Sequence, residues 1–192
     1  MKKILIPIVV IIAVIALIAA MIVPSYNGFV QLEEDVNQSY AQIENQLQRR
    51  LDLIPNLVET VKGFANQEQE VINSITEARS NLAGADTIQE QANADAELSG
   101  ALSRLLVVVE NYPELKSSEN FQQLSDELAG TENRIAVARQ DYNASVTEFN
   151  RKARSFPGNM VAGIFGFDQK EYFEADPDAQ EAPEVDFGTD EE

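Results

Sequence analysis

No cysteine, histidine or tryptophan occurs among the 192 residues. Without thiols there is no disulfide, no thiolate nucleophile and no lipidated-cysteine route to a membrane. Without imidazole there is no neutral-pH general base, no Ser-His triad and almost no zinc site. A carboxylate-bridged di-iron site in a helical bundle needs two E-x-x-H pairs, so it goes too. Basic residues are scarce: 14 against 32 acidic ones, a formal net charge of −18. Such a chain repels nucleic acid and bare anionic lipid, and no basic patch with interleaved aromatics offsets that, so nucleic acid is not an expected partner. No stretch alternates with period two, so strands are not expected. No D-x-[DN]-x-[DN]-G calcium loop is present.

What is present begins with a long apolar run. Residues 4–23 carry no charge and consist mainly of Ile, Val, Leu and Ala. Twenty residues at helical rise span about 30 Å, the hydrocarbon thickness of a bilayer. The rival reading, a cleaved signal peptide, wants a shorter apolar region ending in a small-residue site of A-x-A type. Ala19-Ala20-Met21-Ile22 offers none, so an uncleaved anchor is expected. Lys2 and Lys3 precede the run, whereas Glu33, Glu34 and Asp35 follow it and the next basic residue is Arg49. The positive-inside rule then places the N-terminus in the cytoplasm and everything after Pro24 outside.

Beyond the anchor, apolar residues recur every third or fourth position in four stretches, the signature of helices with one buried face. The longest covers residues 115–156: Leu115, Phe121, Leu124, Leu128, Thr131, Ile135, Ala138, Tyr142, Ser145, Phe149 and Phe156, widened by Val137 and Val146. Ser117 or Ser118 can cap its start, and Pro157-Gly158 stops it. The first bundle stretch (Phe29, Leu32, Val36, Tyr40, Ile43, Leu47, Leu51) continues the membrane helix outward. Asp52 as N-cap and Pro55 in a first turn predict a tight reversal near residues 50–52. The alternative is one long kinked helix. The next stretch runs from Ile54 to Leu82 and ends at Gly84, after which Asp86 is the expected cap of the third, Ile88 to Tyr112. Pro113 leads into the long helix. The expected fold is all-α, a transmembrane helix continuing into an antiparallel four-helix bundle. The expected parts are an anchor over 1–24, the bundle over 25–156, an apolar aromatic segment over 157–173 and a disordered acidic tail over 174–192.

Several blocks resemble one family. They are Arg49-Arg50-x-Asp52-Leu-Ile-Pro-Asn-Leu-Val-Glu-Thr-Val-Lys-Gly-Phe64-Ala65 and Glu110-Asn-Tyr-Pro-Glu-Leu-Lys116, running into Asn120-Phe121-x-x-Leu124-x-x-Glu127-Leu128. Gly130-Thr-Glu-Asn-Arg-Ile135, Ala138-Arg139-x-x-Tyr142-Asn143, Phe149-Asn150 and Phe156-Pro-Gly-Asn159 follow in order. Together with the N-terminal apolar segment they are similar to the LemA family over residues 25–173. The resemblance implies a small antiparallel helical bundle behind one membrane helix, links to magnetosome membranes among some relatives, and no defined reaction.

The charged motif residues Arg49, Arg50, Glu59, Glu132, Arg134 and Arg139 are the candidates for a site. Arginines pairing with carboxylates of neighbouring helices, so fixing the bundle's register, account for them better than chemistry does. Paired carboxylates such as Glu33-Glu34 or Glu68 and Glu70 diverge around a helix or face solvent. Thr131 and Ser145 are expected to bond back to the preceding turn. Tyr40, Tyr112 and Tyr142 are expected as core aromatics with a wet hydroxyl, and Pro113, like Pro55, as a turn-former. No residue is assigned a catalytic, cofactor-binding or metal-binding role, and the chain is not expected to be an enzyme.

If successive helices leave and return, the fourth delivers Phe156 near the bilayer. Residues 163–167 then either dip into the interface as a weak second anchor or fold back over an open end of the bundle. The expected function is that of a non-catalytic scaffold working by contact at the lipid bilayer, through self-association or another membrane protein. The alternative is an accessory ligand-binding or sensor module acting through a partner membrane protein.

Overall fold

The computed structural model describes residues 2–65 and 67–174, and every regular element among them is helical. In chain order these are α1 (Lys2–Phe64), α2 (Gln69–Ala83), α3 (Ile88–Val109), the single turn α4 (Pro113–Lys116), α5 (Glu119–Arg154) and α6 (Gly158–Phe165). The acidic tail lies outside the described residues from 175 onward.

The expected reversal at residues 50–52 is not there. Helix α1 runs through Pro24, Gly28 and Pro55 without interruption and stops only at Phe64, so the stretch is one long helix, as the alternative had it. Pro55 has no N–H for the carbonyl of Leu51, the defect that ordinarily ends a helix. Here Arg79 Nε of α2 donates to that carbonyl at 3.1 Å, and the ladder is repaired from outside. The break between α1 and α2 falls after Phe64, where Glu68 N bonds to Ala65 O at 3.1 Å.

The cap of α3 is also shifted by one residue from expectation. Thr87, not Asp86, occupies the N-cap: Glu90 N donates to its Oγ1 at 3.2 Å while the Glu90 carboxylate accepts from Thr87 N at 3.0 Å. This reciprocal pair is a capping box. Asp86 N also donates to Glu90 Oε2. The long C-terminal stretch divides, since Leu115 belongs to α4 and α5 starts after Ser118, whose carbonyl accepts from Gln122 N at 3.0 Å.

The described residues form two compact units, residues 2–48 with 130–172, and residues 49–65 and 67–129 with 173–174. In the first, Phe29, Val36, Ile43 and Leu47 of α1 are buried, as are Ile135, Ala138, Tyr142, Val146 and Phe149 of α5. Val137, expected to widen that stripe, is 58% exposed, and Phe156 lies beyond the helix and is 74% exposed. In the second unit the end of α1 buries Leu53, Ile54, Leu57 and Val61, and α2 packs directly on α3. Upstream, Ile8, Ile11, Ile12, Ile15 and Leu17 of α1 are all exposed. That part of α1 is long and apolar enough to cross a membrane. Side chains of this size each favour an apolar surrounding over water by about 1.5–3 kcal/mol.

Candidate membrane-proximal site

Aromatic side chains gather in the first unit just beyond the apolar run. Phe29 is fully buried; it meets Phe149 edge-on at 5.6 Å between centroids and stacks on Phe167 at 4.8 Å with the planes 12° apart. Tyr26 meets Phe165 edge-on at 4.9 Å and Phe167 at 5.6 Å. Such pairs contribute roughly 0.5–1.5 kcal/mol each beyond the area they bury. The sequence pattern therefore divides: Phe167 folds back onto α1 and α5, while Phe165 lies at the edge of the cluster.

The fold-back depends on two glycines. A Cβ at Gly158 would sit 2.3 Å from the Lys152 carbonyl oxygen, so only glycine allows α6 to start so close to the end of α5. Gly166 caps α6 in the left-handed region at φ 76°, where a side chain is costly.

After Gly166 an extended strap crosses the unit, held by side chains of α5. The Asn150 side chain makes two bonds to one residue: Nδ2 donates to Lys170 O at 2.9 Å, and Oδ1 accepts from Lys170 N at 2.8 Å. The Tyr142 hydroxyl donates to Glu171 O at 2.9 Å. Burial, with Tyr40 and Glu171 nearby, pushes the Tyr142 phenol up to about 12. Lys170 Nζ reaches Glu33 Oε1 of α1 at 2.6 Å and lies 5.3 Å from the Phe149 ring centroid. Lys152 Nζ sits 4.9 Å from the Phe29 ring centroid, and burial lowers its pKa. Of these groups the sequence pattern singled out Tyr142 and Glu33. Asn150 appeared only as part of a motif, because a single amide gives no sign of clamping a strap twenty residues away.

An open groove of about 420 Å³ also runs along α1 and α5 in this unit, lined by Gln42, Asn45, Gln46, Asn133, Arg134, Val137, Ala138 and Asp141. A second, of about 490 Å³, shares Gln42 and Asp141 and extends past Ser39 and Ser145 towards Leu32 and Glu148. Both are open clefts that mix amides, hydroxyls and a few charges with apolar surface, without a nucleophile next to a base.

In the second unit the candidate arginines act as cross-links. Arg50, 1% exposed, donates from Nη1 to Asp95 Oδ1 at 2.6 Å and from Nη2 to Ser99 Oγ at 2.9 Å. Arg49 pairs with Glu127 of α5 at the surface. Glu59 pairs with Lys62 one turn on. Glu68 accepts from the Tyr112 hydroxyl at 2.8 Å, a bond that raises the Tyr112 pKa. Glu132 and Arg139 are engaged as well, and Arg134 borders the groove of the first unit. The motif charges are thus not brought together in one place. Asp95, which completes the buried pair, carries no signal in the sequence beyond an acidic residue on an apolar face. Among the described residues no cluster of three or more carboxylates is placed to hold a metal ion.

These features define a membrane-associated, all-helical protein. Residues 39–187 match the model of the LemA family, and the chain belongs to that family, which is not catalytic. It is similar to magnetosome protein MamQ 2 of Paramagnetospirillum magneticum, with 29% identity covering 87% of this chain and 71% of the relative. MamQ of Magnetospirillum gryphiswaldense is 28% identical over 79% of this chain and 65% of its own length. Protein LemA of Metamycoplasma hominis is 28% identical over 71% of this chain and 63% of its own.

Proposed function

We propose that this protein is a single-pass membrane scaffold that acts by contact, with residues 1–24 in the bilayer, the N-terminus in the cytoplasm and the helical part outside. Residues 25–156 form the antiparallel four-helix bundle, 157–173 pack on the bundle or membrane surface, and 174–192 form an acidic tail. No residue in this reading is catalytic, cofactor-binding or metal-binding. The observation that carries it is the change of character along α1: exposed apolar side chains up to Val23, then a buried stripe from Phe29. One helix thus passes from lipid into protein without a flexible joint. The pairing of Phe29 with Phe149 and Tyr40 with Tyr142 supports the antiparallel arrangement, because numbers rise in one helix as they fall in the other.

A second reading, an accessory ligand-binding module working through a partner receptor, is favoured by the open groove at Gln42, Asn133, Arg134 and Val137. Two relatives named as magnetosome proteins bring in a third use of a contact protein, in membrane organisation. Crosslinking the full chain in cells and identifying the products separates these. Ladders of self-crosslinked chains support the scaffold, and one defined membrane protein supports the accessory module. Recovery of neither contradicts a contact function.

A further inference from the structure

Helix α6 hides one face and leaves another bare. Val161 and Ala162 are buried, whereas Phe156, Met160 and Ile164, spaced four apart, are 74, 57 and 65% exposed. Met160 and Ile164, one turn apart on the eight-residue helix, with Phe156 exposed just ahead of it, form an unpartnered face. Its position says what covers it. Phe165, next to Ile164, packs on Tyr26, and Tyr26 is three residues past the last residue of the apolar run, about 4.5 Å along a helix. The headgroup layer adds roughly 5–7 Å on each side of the hydrocarbon core, so an element resting on Tyr26 lies within it. The exposed apolar surface of α1 also continues past Val23 to Tyr26 and Val30, which makes the α6 row an extension of the anchor's own lipid-facing surface.

Charge points the same way. The chain as a whole is strongly acidic, yet residues 149–167 contain no carboxylate and carry Arg151, Lys152 and Arg154. Lys152 is turned onto Phe29 and Arg151 pairs with Glu148 one turn back at 3.1 Å, which leaves Arg154 as the exposed cation nearest the row. Two copies meeting here would bring like charges together, whereas an anionic bilayer complements them.

We propose that the Phe156–Met160–Ile164 row, flanked by Arg154, is a second membrane contact that seats on anionic phospholipid headgroups beside the point where α1 leaves the bilayer. This rests on the anchor reading above. It makes the attachment two-point and fixes the tilt of the first unit against the membrane, which a single helix cannot do.

The chain has no native cysteine, so single-cysteine variants of the full-length protein, spin-labelled and reconstituted in phosphatidylcholine–phosphatidylglycerol vesicles, test it by oxygen and nickel-chelate collision rates. The variants are Met160→Cys and Ile164→Cys, with Ile15→Cys as a deep reference and Ser80→Cys as an aqueous one. The expected result is oxygen-favoured collision at 160 and 164, intermediate between the two references. Arg154→Gln should lower the ratio of seated to unseated label about fivefold, as should loss of a charge near any anionic surface. Aqueous readings at 160 and 164 with residue 15 deep overturn this contact alone. Aqueous readings at residue 15 as well overturn the anchor and the contact together. Spin–spin broadening at 160 with aqueous accessibility assigns the row to a second copy and overturns the lipid contact.

Discussion

Arg50 shows how a charged residue in a motif can be structural. Its guanidinium is buried with Asp95 and Ser99, in a setting where removing one partner strands the other charge. Arg50→Ala or Asp95→Ala should each destabilise the protein by about 3–5 kcal/mol, while replacing both with apolar residues of similar volume should recover most of the loss. Chemical denaturation of the parent chain and the three variants checks it; a double variant costing the sum of the two singles would deny that the charges depend on each other. Tyr142 gives a pH test. Its folded-state pKa, raised from 10.0 to about 12 chiefly by burial, means that its stabilising contribution is whole below pH 10 and is lost as the pH rises through 10–12. Tyr142→Phe should flatten the fall in stability across that window, and tyrosinate absorbance in the wild-type chain should show a late-titrating phenol that the variant lacks.

Helix ends were less legible in the sequence than helix faces, and the reasons are physical. Period 3.6 locates a buried stripe because burial acts on every turn, so Ile72, Ile75, Ala78 and Leu82 are buried as their spacing predicts. A boundary depends on one or two hydrogen bonds, and a distant side chain can reverse it. Asp52 and Pro55 are local signals for a helix start, but Arg79 supplies the bond Pro55 removes, and nothing near Pro55 in sequence announces that. Arg79→Met should therefore weaken the α1 ladder at Leu51, read as faster amide exchange around residues 51–56 while exchange in the rest of α1 is unchanged. Equal exchange in both proteins would mean that the proline is tolerated without help. At α3, Thr87→Ala should cost about 1 kcal/mol. The Thr87 backbone N–H, then its side chain, then the Asp86 N–H hold the Glu90 pKa below the ordinary carboxylate value. The cap's contribution is thus present above that value and fades as the pH falls through the depressed one. Acid titration of helicity should show a smaller cap-dependent loss in Thr87→Ala than in the parent chain.

At the scale of the whole molecule, composition and one apolar run say most of what is known: all-helical, membrane-associated, without thiol or imidazole chemistry. The membrane-proximal aromatic cluster was half legible. Its residue types stood out against an acidic chain, but which ring turns inward is decided by the backbone at Gly158 and Gly166, and only the fold shows Phe167 on Phe29 with Phe156 left bare. The account as a whole rests on residues 4–23 being a retained anchor that holds the helical part on the outer side of the membrane. The most direct measurement is labelling of a Ser80→Cys chain in intact cells with an impermeant thiol reagent, followed by mass measurement of the labelled protein. The account predicts label before lysis on a membrane-bound chain of the full 21.2 kDa plus the reagent. Labelling only after lysis, or a labelled product in the soluble fraction shortened by the N-terminal run, would contradict it.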